Sequence, residues 1–240
     1  MDVREFIRTV VTTDEGWFLL AIGGPNSGEW REEWFRYPDD IERIIARAEE
    51  ASYKDNVYFT AHLFDAKNSG KSHVLSSRTI QADLDEADVL TLPILPTAIV
   101  RSSPGRHQAY WVLRECPDDL EELSKKVTYA IPLCDRSGWT LGHRMRMPGT
   151  LNHKYIDGPK PIEVVGLTGR IHDTSQLELL PEVDKQVEDI YDEDFVKDWT
   201  LGFDELAARV KPYTAEKVAE ITGVPADTII EISRIFAMDK

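Results

Sequence analysis

The chain of 240 residues has little of what marks a secreted, membrane or zinc-binding protein. It contains only two cysteines, Cys116 and Cys134, and no Cys-x-x-Cys pair, so we expect neither a disulfide framework nor a zinc site. Its longest apolar runs are well short of the roughly 20 residues that a membrane span needs. The N-terminus, MDVREFIRTVV, lacks the basic and apolar pattern of a signal peptide. These absences predict a cytoplasmic location and no membrane partner.

The chain also lacks an excess of basic residues. It has 28 Lys and Arg against 43 Asp and Glu, a net charge of −15, which argues against a nonspecific nucleic-acid coat protein. The charge is unevenly distributed, however. Residues 101–172 hold 11 basic and 8 acidic side chains, whereas residues 181–240 hold 7 and 15. The overall charge therefore does not exclude binding of nucleic acid by the middle of the chain.

The order of apolar and turn-forming residues predicts an α+β fold with antiparallel strand pairing. Residues 3–22 are predicted to form a strand that ends at a Gly23-Gly24-Pro25 turn, and Pro38-Asp39-Asp40 is predicted to open a helix. Further strands are predicted at 56–64, 79–84, 97–102, 108–113 and 161–167, with a second helix at 117–131.

The distribution of charge also predicts three parts: a domain over residues 1–180, an acidic connector at 181–200 and a small helical module at 201–240. Within the last part, helices are predicted at 203–210 and 214–238. The second is interrupted by a turn at Gly223 and restarts at Pro225, which is the spacing of a helix-turn-helix. Such a module serves either packing or the holding of DNA, and the scarcity of basic residues favours packing.

An acidic pair closes the predicted strand at 79–84. Side chains at positions i and i+2 of a strand share one face, so Asp83 and Asp85 would present two carboxylates side by side. Two like charges at this distance favour a cation between them, and Mg²⁺ prefers oxygen ligands of this kind. The alternative is an acidic strand end exposed to water.

The segment SSPGRH joins the two strands predicted at 97–102 and 108–113. Its Gly and small hydroxyl residues allow a tight turn, and the nearby Arg and His side chains are donors suited to phosphate oxygens. The alternative is an ordinary hairpin turn. The residues of interest are Ser102, Ser103, Arg106 and His107.

A basic cluster surrounds a Pro-Gly pair at residues 144–154. Arg binds phosphate in a bidentate manner and Lys binds it as a point charge, so the cluster is suited to a triphosphate or a template backbone. A solvated basic loop is the alternative, although it leaves the Pro-Gly-Thr run unexplained. The candidate side chains are Arg144, Arg146, Asn152 and Lys154.

Taken together and in this order, the three segments resemble the motifs of the archaeo-eukaryotic primase superfamily, in particular its plasmid- and phage-type primase-polymerases. The Asp-x-Asp pair matches the first motif and SSPGRH matches the second. RMPGTLNHK, from Arg146 to Lys154, matches the string Arg-x-Pro-Gly-Thr-x-Asn-x-Lys at every fixed position. The family also has a third acidic residue, for which Asp135 is the best candidate. The alternative role of Asp135 is to cap a turn.

The resemblance implies a primase catalytic core with an RRM-like antiparallel sheet. It implies a two-metal site for Mg²⁺ or Mn²⁺ held by Asp83, Asp85 and Asp135. It further implies that His107, Arg106 and the Ser102-Ser103 turn bind the incoming nucleotide, and that the 144–154 cluster contacts the triphosphate or the template. The implied partners are single-stranded DNA, (d)NTPs and a replicative helicase.

Two other functions use some of the same residues. A non-catalytic replication initiator would keep the fold and have a broken acidic triad, and a metal-dependent nuclease would use the paired Asp without the basic cluster. The C-terminal residues 203–237 are in addition similar to a helical segment of molybdopterin oxidoreductases, but the cofactor-binding motifs of those much longer enzymes are missing from this sequence.

Overall fold

The computed structural model describes residues 2–24, 30–180, 209, 213–226 and 228–230. The chain divides into two compact units, Met1–Glu182 and Val183–Lys240. Among the described residues, no helix has the length and apolar character needed to cross a membrane. The acidic connector predicted at 181–200 lies outside the described residues.

The first unit contains helices and antiparallel sheets, so the predicted α+β class is confirmed. Its helices are α1 (Val3–Val10), α2 (Ile41–Ser52), α3 (Leu120–Ala130) and α4 (Thr174–Glu178). Its strands are β1 (Gly16–Gly23), β2 (Trp30–Tyr37), β3 (Asn56–Phe59), β4 (Thr79–Asp83), β5 (Ala98–Ser103), β6 (Arg106–Val112), β7 (Met145–Arg146), β8 (Leu151–Asn152), β9 (Lys160–Pro161) and β10 (Glu163–Leu167).

The strands form two main sheets. In the described part of the chain, one sheet has the order β2-β1-β3-β7 and the other β10-β5-β6-β4, and their pairings are antiparallel. Strands β8 and β9 form a separate small pair. Strand β7 is an outer strand of the first sheet and β4 is an outer strand of the second, and the segments that follow them carry the candidate functional residues.

The predicted strand at 3–22 is wrong in its first half, because Val3–Val10 forms helix α1. The carboxylate of Asp2 caps this helix by accepting a hydrogen bond from the Arg4 N–H at 2.9 Å. Phe6, Ile7 and Val10 are buried on one helical face. The spacing of these apolar residues therefore fits a helix better than a strand.

Two apolar clusters hold the first unit together. The larger one lies between α1, α2 and the inward faces of both sheets, and the smaller one lies between α3 and the other face of the second sheet. Tyr110 of β6 belongs to the larger cluster and Trp111 to the smaller one. Strand β6 is therefore buried on both faces, as expected for a central strand.

In the second unit, helix α5 (Ala215–Thr222) coincides with the start of the helix predicted at 214. Thr214 caps it, its side chain accepting a hydrogen bond from the Lys217 N–H, and Gly223 ends it with a φ of +75°. Ala226 and residues 228–230 are again helical after Pro225. Most of the helix predicted at 203–210, and the end of the one predicted at 214–238, lie outside the described residues.

Candidate functional site

Two of the predicted carboxylates meet where β4 ends. The main-chain N–H of Asp135 donates to the main-chain carbonyl of Asp83 at 2.9 Å, and the Cys134 thiol donates to the same carbonyl at 3.1 Å. These bonds attach the segment after α3 to the end of β4. Asp135 also forms the turn that the sequence offered as its alternative role, because its Oδ1 accepts from the N–H and hydroxyl of Ser137 at 2.9 and 2.8 Å.

A histidine that the sequence analysis did not single out completes this group. Asp83, Asp135 and His143 each offer one ligand atom, and the three atoms lie within 4.8 Å of one another. His143 precedes Arg146 by three positions. Its closeness in sequence to the basic string was the one feature that could have indicated its role. The three side chains are all partly buried.

Burial and crowding shift the ionisation of this group. Burial, followed by repulsion from Asp135, raises the pKa of Asp83 to about 6. The positive charges of Arg146 and Arg106 act in the opposite direction. Burial lowers the pKa of His143 and raises that of the Cys134 thiol to about 12. The site therefore disfavours additional negative charge unless a cation compensates for it.

Asp85 does not join the other carboxylates in this structure. Strand β4 ends at Asp83, and Asp85 lies in the following turn with a φ of +47°. The same-face relationship expected for a strand therefore does not apply to this pair. The Asp85 carboxylate instead forms an ion pair with Arg106, which also lies 3.4 Å from a Glu86 carboxylate oxygen.

The SSPGRH segment forms the predicted hairpin between β5 and β6. Ser103 pairs with Arg106, and the turn between them has Pro104 followed by Gly105 with a φ of +74°, as is typical of a type II turn. Ser102 and Ser103 are buried, and the Ser102 hydroxyl donates to the Arg106 carbonyl at 3.4 Å. The hairpin thereby holds Arg106 near the end of β4.

The residue of β6 that faces Asp83 is Gln108, not His107. Asp83 and Gln108 are directly opposite each other in the β4–β6 pair, so their side chains share a face of the sheet. Alternation along β6 places His107 on the other face, where neighbouring Ala109 packs in the smaller apolar cluster. Oriented so that both its atoms are satisfied, the Gln108 amide exchanges two hydrogen bonds with the main chain of Arg146.

The basic string divides into residues that support the site and residues that face solvent. Asn152 is buried and donates to the Ser102 carbonyl at 3.0 Å, which ties β8 to the hairpin. Arg144 forms an ion pair with Glu32, and Lys154 is exposed. The Pro-Gly part of the string is a turn in which Gly149 has a φ of +80°.

Arg146 links the carboxylates to an aromatic surface on the first sheet. Its guanidinium lies 4.9 Å from the ring centroid of Tyr58 and donates to Asn56 at 3.0 Å. The Tyr58 ring lies 5.4 Å from that of Trp30, which is 57% exposed. Tyr58 and Arg146 are direct partners in the β3–β7 pair. An exposed ring thus stands beside the site.

Solved structures with a similar fold are primases. The AEP domain of the cyanophage S-2L primase-polymerase superposes with a TM-score of 0.56 at 15% identity, covering 75% of this chain and 96% of that one. Primase RepB′ superposes with a TM-score of 0.54 at 13% identity, covering 92% of this chain and 69% of that one. The fold is that of the archaeo-eukaryotic primases. This agrees with the resemblance of the sequence motifs.

Comparison with curated sequences finds a different and much shorter similarity. The chain is 49% identical over 49 residues to F420-dependent formate dehydrogenase 2 subunit alpha of Methanococcus maripaludis, and 46% identical over 52 residues to acetylene hydratase of Syntrophotalea acetylenica. It spans only 7% of the length of either protein. The similarity therefore concerns one segment. No protein-family model matches the chain.

Proposed function

We propose that this chain is a template-dependent nucleotidyltransferase, a DNA primase, a DNA polymerase or both, that acts in plasmid, phage or mobile-element replication. The observation that carries the proposal is the meeting of Asp83 and Asp135 at the end of β4, in a chain with a primase fold. Arg106 and Arg146 lie close enough to lower the pKa of Asp83, so anion-binding groups surround the same point.

The donor groups around Asp83 fit a divalent cation. Two carboxylates and an imidazole converge, and burial together with repulsion from Asp135 raises the pKa of Asp83, so a nearby cation would stabilise its charged form. Asp83 and Asp135 would hold Mg²⁺ or Mn²⁺, and Asp85 would join them once released from Arg106. Metal ions at such a site activate the attacking 3′-hydroxyl and stabilise the leaving pyrophosphate.

Arginines near the end of β4 would bind the triphosphate. Arg106 lies between the hairpin and the carboxylates, and a phosphate could replace the Asp85 carboxylate as its partner. Arg144, Arg146 and Lys154 supply further positive charge along the basic string. The hairpin is stabilised by the buried side chains of Ser102, Ser103 and Asn152, the last of which donates to the Ser102 carbonyl. Gln108, not His107, is the β6 side chain that we assign to the site.

The proposed partners are single-stranded DNA, (d)NTPs and a replicative helicase. The aromatic surface of Trp30 and Tyr58 suits the stacking of template bases, because every base offers a π face. The local excess of basic residues at 101–172 would attract the strand despite the net charge of −15. A cytoplasmic location stays a prediction from the sequence.

The test is nucleotide incorporation on unprimed and primed single-stranded DNA, with Mg²⁺ or Mn²⁺ and labelled NTPs or dNTPs. Asp83→Asn and Asp135→Asn should each lower incorporation by about 10²–10³-fold, as loss of one transition-state electrostatic contact does elsewhere. Asp65→Asn, on an exposed carboxylate paired with His73, is the matched control. Product on the unprimed template would establish priming.

A non-catalytic replication initiator is the second candidate function. It is favoured by the ion pair that holds Asp85 away from Asp83, since only two of the three predicted carboxylates converge. Absence of incorporation with every metal and nucleotide, together with retained binding of single-stranded DNA, would replace the proposed function by this one.

A further inference from the structure

The third donor beside Asp83 and Asp135 is an imidazole where the sequence motifs predict a carboxylate. Ligand atoms of Asp83, Asp135 and His143 lie within 4.8 Å of one another, whereas Asp85 is paired with Arg106. We propose that His143 is a protein ligand of the metal site, beside Asp83 and Asp135. The ligand role of His143 does not depend on the proposed function. Only the use of the bound metal in nucleotidyl transfer rests on it.

His143 is held in place by its own backbone. Its N–H donates to the Thr140 carbonyl at 2.9 Å, and its carbonyl accepts from the Gln81 side chain at 2.8 Å. Gln81 is buried, and its side-chain oxygen in turn accepts from the Ala61 N–H at 3.1 Å. Strand β4 thus positions Asp83 directly and His143 through Gln81, two residues earlier on the same face.

The turn formed by Asp135 uses one named oxygen of its carboxylate, Oδ1. The hydroxyl and the N–H of Ser137 both donate to Oδ1, which fixes the orientation of the carboxylate. Hydrogen bonds of this kind to a ligating carboxylate set its geometry in metal sites. Both of these bonds reach Oδ1, so the turn is compatible with a ligand role for Oδ2.

A glycine keeps the space beside the three donors open. A Cβ atom at Gly138 would lie 3.3 Å from the Asp135 carbonyl oxygen, 3.5 Å from the Asp83 nitrogen and 3.7 Å from the His143 Nε2. Any larger side chain here would approach both carboxylate-bearing residues and the imidazole. Gly138 therefore leaves room next to Nε2 that an ion and its water ligands would need.

The donor set is compatible with a divalent transition ion. Mg²⁺ binds oxygen ligands and keeps several waters, whereas imidazole nitrogen is a good ligand for first-row transition ions. Mn²⁺ accepts carboxylate oxygens as readily as Mg²⁺ and ranks lowest among the transition ions in affinity for nitrogen. A site of two carboxylates and one imidazole therefore accommodates Mn²⁺, which is a suitable probe for the imidazole ligand.

The experiment measures Mn²⁺ binding to the full chain without nucleotide or DNA, by electron paramagnetic resonance. Nitrogen coupling from a bound imidazole should appear in the electron spin echo of the wild type and be absent from His143→Ala. His143→Ala should weaken Mn²⁺ binding by at least about tenfold, since loss of an outer-shell partner alone costs about that much. His143→Asp, which keeps a ligand at this position, should bind Mn²⁺ without nitrogen coupling. His73→Gln, at a surface pair with Asp65, is the control.

Each result bears on either the inference or the proposed function. Absence of nitrogen coupling in the wild type, or nitrogen coupling that survives in a folded His143→Ala or His143→Asp, overturns the inference. Circular dichroism establishes that both variants are folded. If incorporation still depends on Asp83 in that case, the proposed function stands without His143. If the coupling is lost with His143 but the wild type incorporates no nucleotide, the inference stands and the proposed function fails.

Discussion

Asp135 donates its main-chain N–H to the main-chain carbonyl of Asp83 at 2.9 Å, although the two residues lie on opposite sides of a hairpin and a helix in the chain. Together with the Cys134 thiol, which donates to the same carbonyl, this backbone bond holds two carboxylates close together although they repel each other. Burial, to which this repulsion is added, raises the pKa of Asp83 to about 6. In the absence of a metal ion, the ionised form of Asp83 would therefore lower the free energy of unfolding.

The dependence of stability on pH tests this arrangement. The pKa of Asp83 rises from 3.8 to about 6 on folding, so the folded state binds the proton more tightly than the unfolded state. Stability should therefore fall as pH rises from about 4 through 6, by roughly 2–3 kcal/mol. Asp83→Asn should match the wild type near pH 4 and exceed it by about this amount at pH 7.5.

Urea unfolding followed by tryptophan fluorescence at the two pH values measures the difference. Addition of Mn²⁺ at pH 7.5 should stabilise the wild type but not Asp83→Asn, because only the wild type binds the ion through this carboxylate. Equal stability of the two proteins at both pH values would contradict the placement of Asp83 in a crowded, buried site.

Gln108 and His107 provide a test of which β6 side chain serves the site. Gln108→Ala leaves the main-chain groups of Arg146 without their partners, so it should cost about 1–3 kcal/mol in stability and lower nucleotide incorporation. His107→Ala lies on the other face and should change incorporation by about twofold or less. A larger loss in His107→Ala than in Gln108→Ala would favour the assignment expected from the motif.

Trp30 provides a test of template binding. Its exposed ring stands beside Tyr58, and stacking of a base on an aromatic side chain contributes about 1–3 kcal/mol. Trp30→Ala should therefore weaken binding of fluorescent oligothymidine by about tenfold. Tyr53→Ala removes a ring that is 71% exposed next to the end of α2 and serves as the control. Equal affinities of the two variants would show that Trp30 does not contribute to DNA binding.

Alanine substitutions at Gly149 and Gly105 distinguish the cost in stability of steric crowding from that of backbone strain. Both have a φ near the left-handed region, +80° and +74°, but a Cβ at Gly149 would lie 2.8 Å from Val3 whereas Gly105 faces open space. Gly105→Ala should cost about 1–2 kcal/mol in stability through its backbone alone. Gly149→Ala should cost about 1–3 kcal/mol more, because α1 must move. Thermal unfolding of the pair measures this difference.

Local patterns in the sequence were sufficient for several elements. Pro104-Gly105 predicted the β5–β6 hairpin because a Gly at this position supplies the positive φ that the turn requires. The helix opened by residues 38–40 was also predicted correctly and appears as α2. Strand β2 was not predicted, because four of the eight residues in its sequence WREEWFRY are charged and it lies at an outer position of the first sheet.

The sequence by itself determined which chemical groups are present and how each turn is made, since these depend on neighbouring residues. The tertiary structure decided which of these groups meet. Pairing of β4 with β6 selected Gln108 over His107, and the end of β4 at Asp83 directed Asp85 to Arg106. The contact of Asp83 with Asp135 and His143 arises from loops distant in sequence, and such convergence depends on strand register and packing that no local pattern encodes.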